Sequence, residues 1–287
     1  MVVIYLSGFV VINVVATVLF VRSQRGKAAA ELMTFAETVP APLTPQVREW
    51  LGPQLHRRTV YPFVGFLWGI TAVYLLPSSA WDDFPWHWFL LVIGIGVGSS
   101  IGALLASVRT KPLVDGPRRA VDPVRRRASD YYGRIDVLRL RLSVLTAGSA
   151  LALAAALVAG TGTATADRAL IACTIGLVLV GAHHGVVAVV VARPLVTSTA
   201  EGLLWQKAVL ARTIAPIPHL AIFAGIFSTV VAVYAAVVHV RELSLPILLL
   251  SVGVAVLGAA AVVVMVIGIR RDWPRQTDPI AHPSSAP

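Results

Sequence analysis

The chain has 287 residues, 57% of them hydrophobic and only 13% charged, with a net charge of +10 and a mean hydropathy of +0.79. A soluble domain carries about 25% charged residues, so this composition excludes an ordinary soluble fold and indicates a polytopic helical membrane protein, whose apolar runs are long and lack strand alternation. The single cysteine, Cys173, excludes an intramolecular disulfide and a CxxC metal site.

Seven apolar segments are long enough to cross a hydrocarbon core of about 30 Å at about 1.5 Å per residue. In chain order they are 2–21, 59–77, 86–108, 142–160, 169–192, 217–240 and 243–269. The first differs from a cleaved signal peptide because its basic residues follow the apolar run instead of preceding it. It reads as a retained span with its N-terminus outside. In the loop that follows, LTPQVREWLGPQLHRR lets Thr44 cap a helix that has Pro45 at its first position. Val47, Trp50 and Leu51 then share one face.

The second and third spans carry glycines four residues apart, at Gly65 and Gly69 and at Gly94, Gly98 and Gly102. Such smooth faces let membrane helices approach closely. Between these spans lies PSSAWDDFPWHW, with Asp82 and Asp83 and an interfacial belt of Trp81, Trp86 and Trp88. The loop 109–141 is strongly basic. KPLV at 111–114 and RPLV at 193–196 form a weak internal repeat, which also reads as an ordinary way to stop a helix at a span end. In the loop 193–216, Ser198 and Glu201 have capping-box spacing, and Leu203, Leu204, Lys207 and Leu210 continue an amphipathic pattern. This helix and the one starting at Pro45 are expected on the inner leaflet or against the bundle. The tail from residue 271 to 287 is Pro-rich and expected to be disordered.

The basic residues are divided very unevenly. The loops 22–58, 109–141 and 193–216 and the tail hold 22 of them, and the opposite side holds two, Arg168 and Arg241. The positive-inside rule makes the basic side cytoplasmic. The fold expected is therefore all-α, a polytopic transmembrane bundle of seven helices over residues 1–270, with its N-terminus outside and its C-terminus cytoplasmic. The 21 arginines against three lysines, beside abundant Ala and Val, suggest a bacterial chain and hence a bacterial plasma membrane. Orientation and contact with anionic lipid account for most of the basic charge. No module for nucleic acid accompanies the arginines, so nucleic acid is not an expected partner.

The fifth span, in GLVLVGAHHGVVAVVVA, places His183 and His184 inside an apolar run. At about 100° per residue, His184 flanks a small face made by Thr174, Gly181, Gly185, Ala188 and Ala192, while His183 falls among Leu179, Val187 and Val190. On this basis His184 is expected to face the interior. His183, His184, Asn13, Ser99, Ser100, Thr146, Ser149, Ser228 and Thr229 share a depth near the midplane of their spans. An intramembrane ionisable group is a functional hypothesis by default. The plainer reading has each hydroxyl bonding its own helix and the histidines bonding between helices.

The assigned spans contain no Asp, Glu, Lys or Arg. The last span has no lysine for a Schiff base, so a retinal protein is excluded, and carboxylate proton relays are absent as well. His87 and His239 with Asp82 or Asp83 could form an outer metal site, although interfacial histidines without metal fit better. The sequence implies no cofactor and no metal, and leaves the oligomeric state open. Two functional readings follow. One is a non-catalytic component of a membrane assembly that docks a protein partner or anionic lipid through a basic cytoplasmic face, with Arg118, Arg119, Arg125, Arg126 and Arg127 as docking residues. The other is a permease or small-molecule-binding subunit using His184, His183, Asn13, Ser99, Ser100, Ser149 and Ser228. A membrane enzyme ranks third.

Overall fold

The computed structural model describes residues 2–75, 86–108, 130–192, 195, 199–215 and 217–275. Among the described residues every regular element is a helix: α1 (Val2–Glu37), α2 (Pro45–Tyr74), α3 (Trp86–Val108), α4 (Arg134–Thr161), α5 (Ala164–Ala192), α6 (Ala200–Ile214), α7 (Ile217–Val238) and α8 (Leu245–Arg275). Four stretches are long and apolar enough to cross a membrane: Arg134–Thr161, Ala164–Ala192, Ala200–Val238 (the range that takes in α6 and α7) and Leu245–Ile267. Val10–Gln24 and Leu90–Ala106 are shorter apolar stretches of helix. The molecule is thus a helical membrane protein. The Trp81–Asp83 belt, the KPLV repeat and the tail from residue 276 lie outside the described residues. Helix α8 itself continues through residues 271–275, which composition alone assigns to a disordered tail.

The helices fall into two compact units. The first contains α1, α2, α3 and α6. Helix α1 runs well past its apolar segment, because Lys27–Phe35 is rich in strong helix formers. Helix α2 starts as expected: the Thr44 hydroxyl accepts from the backbone N–H of Val47 at 3.3 Å, with Pro45 in the first turn. The amphipathic segment and the apolar segment after residue 58 form one helix, which contains Pro53 and Pro62.

The amphipathic faces of α1, α2 and α6 meet one another. Leu32, Phe35 and Val39 pack with Val47, Leu51 and Leu55 of the second helix and with Trp205, Ala208 and Val209 of α6. Phe35, Leu51 and Trp205 are fully buried, and the Phe35 and Trp205 rings lie 6.3 Å apart. The start of α6 corrects the expected cap. Thr199, not Ser198, supplies the side chain, accepting from the Gly202 N–H at 3.0 Å. The buried face is centred on Trp205 and Val209, while Leu204 is exposed. Burying Trp205 removes far more apolar surface from water than burying Leu204 would, and this sets the rotation of the helix.

Helices α2 and α3 pair through their glycines. A Cβ at Gly65 would strike the Gly98 carbonyl and one at Gly69 the Gly94 carbonyl, and the reverse substitutions fail in the same way. Gly102 abuts the backbone of Tyr61 and Pro62. The two backbones touch, so there is no side chain to give way. Phe20 of α1 stacks on Phe63 of α2 at 3.7 Å.

The second unit contains α4, most of α5, α7 and α8. Its centre is the α4–α7 pair. Ser143, Thr146, Ala147, Ala150, Leu153, Ala154 and Leu157 form the buried stripe of α4, and Ala221, Gly225, Ser228, Ala232 and Ala235 lie on the buried face of α7. The α4–α5 connection is two residues long, with Gly162 in the left-handed region at φ +58°.

Gly98→Ala should force α2 and α3 apart and lower stability by about 1–3 kcal/mol or more. Gly96→Ala meets nothing within 4 Å and should be neutral or gain up to about 1 kcal/mol from helix propensity. Thermal unfolding in detergent checks both, and equal effects would reject the backbone contact.

Candidate functional site

The polar groups of the second unit are the first place to look for chemistry. Ser143 and Thr146 are buried on α4, Ser228 and Thr229 on α7, Cys173 and His183 on α5. Each hydroxyl donates to its own helix: Ser143 to Leu140 O at 2.7 Å, Thr146 to Leu142 O at 2.7 Å, Ser228 to Ala224 O at 2.9 Å and Thr229 to Gly225 O at 3.1 Å. Ser149, half-buried, donates to Thr146 O at 3.1 Å. The Cys173 thiol donates to the backbone carbonyl of Ser228 at 3.4 Å, which ties α5 to α7. The tight places again have glycine. A Cβ at Gly176 would meet the Ser228 hydroxyl, one at Gly225 the Thr146 hydroxyl, and one at Gly258 the Thr229 side chain. A hydroxyl bonded back one turn takes little space and leaves no orphan proton in an apolar interior, so these groups let the helices pack closely.

The histidines are placed the other way round from the helical-wheel expectation. His183 is 5% exposed and shares the buried face of α5 with Ala166, Ala169, Cys173, Gly176, Val180 and Val187. It has the backbone carbonyl of Leu179, one turn back, within bonding range. His184 is half-buried, and Thr174, Gly181, Gly185, Ala188 and Ala192 are exposed. The expectation assumed that glycines mark the packed face. In α5 that face is built from alanines in its first half and valines in its second, with Gly176 as its one glycine, and a Cβ added at Gly181 or Gly185 meets nothing within 4 Å.

The remaining site residues belong to the first unit. Asn13 is buried on α1, and Ser99 and Ser100 are half-buried on α3, where Ser100 donates to Gly96 O at 2.7 Å. The docking residues Arg118, Arg119, Arg125, Arg126 and Arg127 lie outside the described residues. No group of three or more metal-binding side chains occurs among the described residues.

Three polar constellations escaped the sequence reading. Arg139, fully buried one turn into α4, pairs with Asp136 at 2.7 Å. Tyr132 is buried beside it, and burial, reinforced by Asp136, pushes its phenol well above the ordinary value. At the other end of this unit, Thr163 Oγ1 lies 3.1 Å from His239 Nε2, and His239 Nδ1 lies 3.4 Å from Glu242. Thr163 also caps α5 through the Ala166 N–H at 3.3 Å, so this group holds the two turns together. In the first unit, Arg212 pairs with Glu31 at 2.8 Å and lies over the Phe35 ring at 5.0 Å. Arg58 donates to the Val209 carbonyl. Arg139 with Asp136 and His239 with Glu242 are local pairs three residues apart, whereas Thr163 with His239, Arg212 with Glu31 and Arg58 with Val209 join segments brought together by helix packing and show no local sequence signal.

No protein-family model, no curated protein and no solved structure matches this chain.

The face assignment of α5 can be read by substitution. Cys173→Leu adds volume against the Ser228 carbonyl and should cost about 1–3 kcal/mol. Thr174→Leu, on the exposed side, should stay within about 0.5 kcal/mol. Thermal unfolding measures both, and a larger loss for Thr174→Leu would reverse the helix. A maleimide should leave Cys173 unmodified in the folded protein and label it after denaturation in SDS.

Proposed function

We propose that this chain is a seven-span protein of a bacterial plasma membrane, N-terminus outside and C-terminus cytoplasmic, acting as a non-catalytic component of a membrane assembly. Its working surface is the basic cytoplasmic face, where the 109–141 loop engages a protein partner or anionic lipid. The observation that carries this reading is the division of basic residues in the sequence, 22 against two, with ten in residues 109–141, of which Arg134, Arg139 and Arg141 lie on α4 and Arg139 is buried. Orientation needs some positive charge inside, but not this much in one segment. Two further features agree with it. The buried hydroxyls Ser143, Thr146, Ser228 and Thr229 are bonded to their own helices, which suits a structural interior better than a substrate path. On this reading the packed cluster of α1, α2 and α6 would serve that face as a folded platform.

A second reading, a permease or small-molecule-binding subunit around His184, draws on one observation. The Nε2 of His184 is buried and has no hydrogen-bond partner among the described residues. A polar ligand at that atom would supply one.

Topology reporters fused at Ala30, Arg125, Trp205 and Arg275 should read cytoplasm, and those at Asp82 and Ala164 the exterior. An external signal at Arg125 would overturn the orientation. Replacing Arg125, Arg126 and Arg127 by Gln leaves 19 basic residues inside, so orientation should survive while partner pull-down or anionic-lipid association falls and loses salt dependence. Unchanged association would reduce the cluster to a topology signal.

A further inference from the structure

The guanidinium of Arg58 lies where α2 passes from its amphipathic to its apolar segment. One nitrogen donates to the Val209 carbonyl on α6, which also accepts the Thr213 hydroxyl at 2.6 Å. The Nε is buried and has no hydrogen-bond partner among the described residues. The charge nearby is of the same sign: burial, and then Arg212, hold the Arg58 guanidinium below its ordinary value. Arg212 already has Glu31 at 2.8 Å and the Phe35 ring beneath it. The cluster thus presents two guanidiniums to one carboxylate, and that carboxylate is committed to the outer arginine.

Arg58 as a whole is half-buried, but a guanidinium whose Nε is buried and unpartnered is expensive unless something anionic completes it. The position decides which anion. Glu31 stands seven residues beyond Gln24, the end of the apolar stretch of α1, or about 10 Å along the helix. Arg58 borders the apolar half of α2. The cluster therefore spans the depth of one headgroup layer, where a phosphodiester is the anion at highest local concentration. A planar guanidinium matches phosphate oxygens in pairs, which a lysine does not.

We propose that Arg58 and Arg212 form a site for the phosphate of an anionic phospholipid, held between α2 and α6 at the membrane boundary. The site is separate from the 109–141 loop, and it rests on the membrane reading of α2 but not on docking by that loop. A bound headgroup would bridge the two helices that carry Leu51 and Trp205, and so stabilise the platform.

Native mass spectrometry of the full chain, loaded with equal phosphatidylglycerol and phosphatidylcholine, tests this. The most tightly retained lipid should favour phosphatidylglycerol by about tenfold, the ratio expected for about 1.4 kcal/mol of differential contact. Arg58→Gln should bring the ratio near one. Arg48→Gln, which removes the same charge from an exposed residue whose guanidinium donates to the Met33 sulfur at 3.6 Å, should leave it unchanged. If Arg58→Gln does not fold, Arg58→Lys replaces it; the charge stays, the fork is lost, and the ratio should still drop by about threefold. The proposal is overturned by a wild-type ratio near one, by an equal loss in Arg48→Gln, or by a Lys variant with the wild-type ratio. Displacement of the lipid by millimolar inorganic phosphate would assign the site to free phosphate instead.

Discussion

A hydroxyl or thiol inside hydrocarbon can bond only to what the protein itself supplies. That constraint organises the second unit. Ser143, Thr146, Ser228 and Thr229 turn back onto carbonyls of their own helices, so each becomes a compact, satisfied surface on which another helix can rest. Glycines stand where those surfaces are approached, Gly225 at Thr146 and Gly176 at Ser228. With lipid as apolar as leucine, helices gain nothing from simply hiding apolar surface, and close contact is what holds them. The α2–α3 pair reaches the limit of this logic with backbone against backbone.

Where α1, α2 and α6 form their cluster a different kind of contact takes over. There Phe35, Leu51 and Trp205 are fully buried, and bulky apolar and aromatic side chains interlock as they do in a soluble core. The two regimes meet within α2, whose first half packs in the aromatic cluster and whose second half pairs through glycine with α3. One continuous helix therefore couples the aromatic cluster to the glycine-packed helix pair. Arg58 lies at the junction.

This difference in contact explains what could be read in advance. The helices were legible, because apolar runs of about 20 residues have few alternatives. The Thr44 cap and the Val47–Leu51 face were legible too, since an amphipathic helix shows a contrast between buried and solvated residues. In α5 that contrast is missing: Val180 is buried and Val178 exposed, Ala172 buried and Ile171 exposed. A helix with lipid on one side and protein on the other has no polar side to betray its rotation, so glycine spacing put His184 where His183 lies. The shift from Ser198 to Thr199 has a smaller cause, two adjacent capping hydroxyls separated only by where Trp205 comes to lie. Pairs such as Glu31 with Arg212 join segments 181 residues apart, and no local pattern marks them.

The connection of α4 to α5 by Gly162 and Thr163 bears on how far these helices can move against each other. Gly162 takes the left-handed turn at φ +58°, and Thr163 opens the next helix at once. A link of two residues has a reach of only about 7 Å when fully extended. It therefore keeps the end of α4 and the start of α5, with Asp167 in its first turn, at one level. Neither helix can slide along its axis by much more than a turn without taking the other with it, so the pair moves as one hairpin.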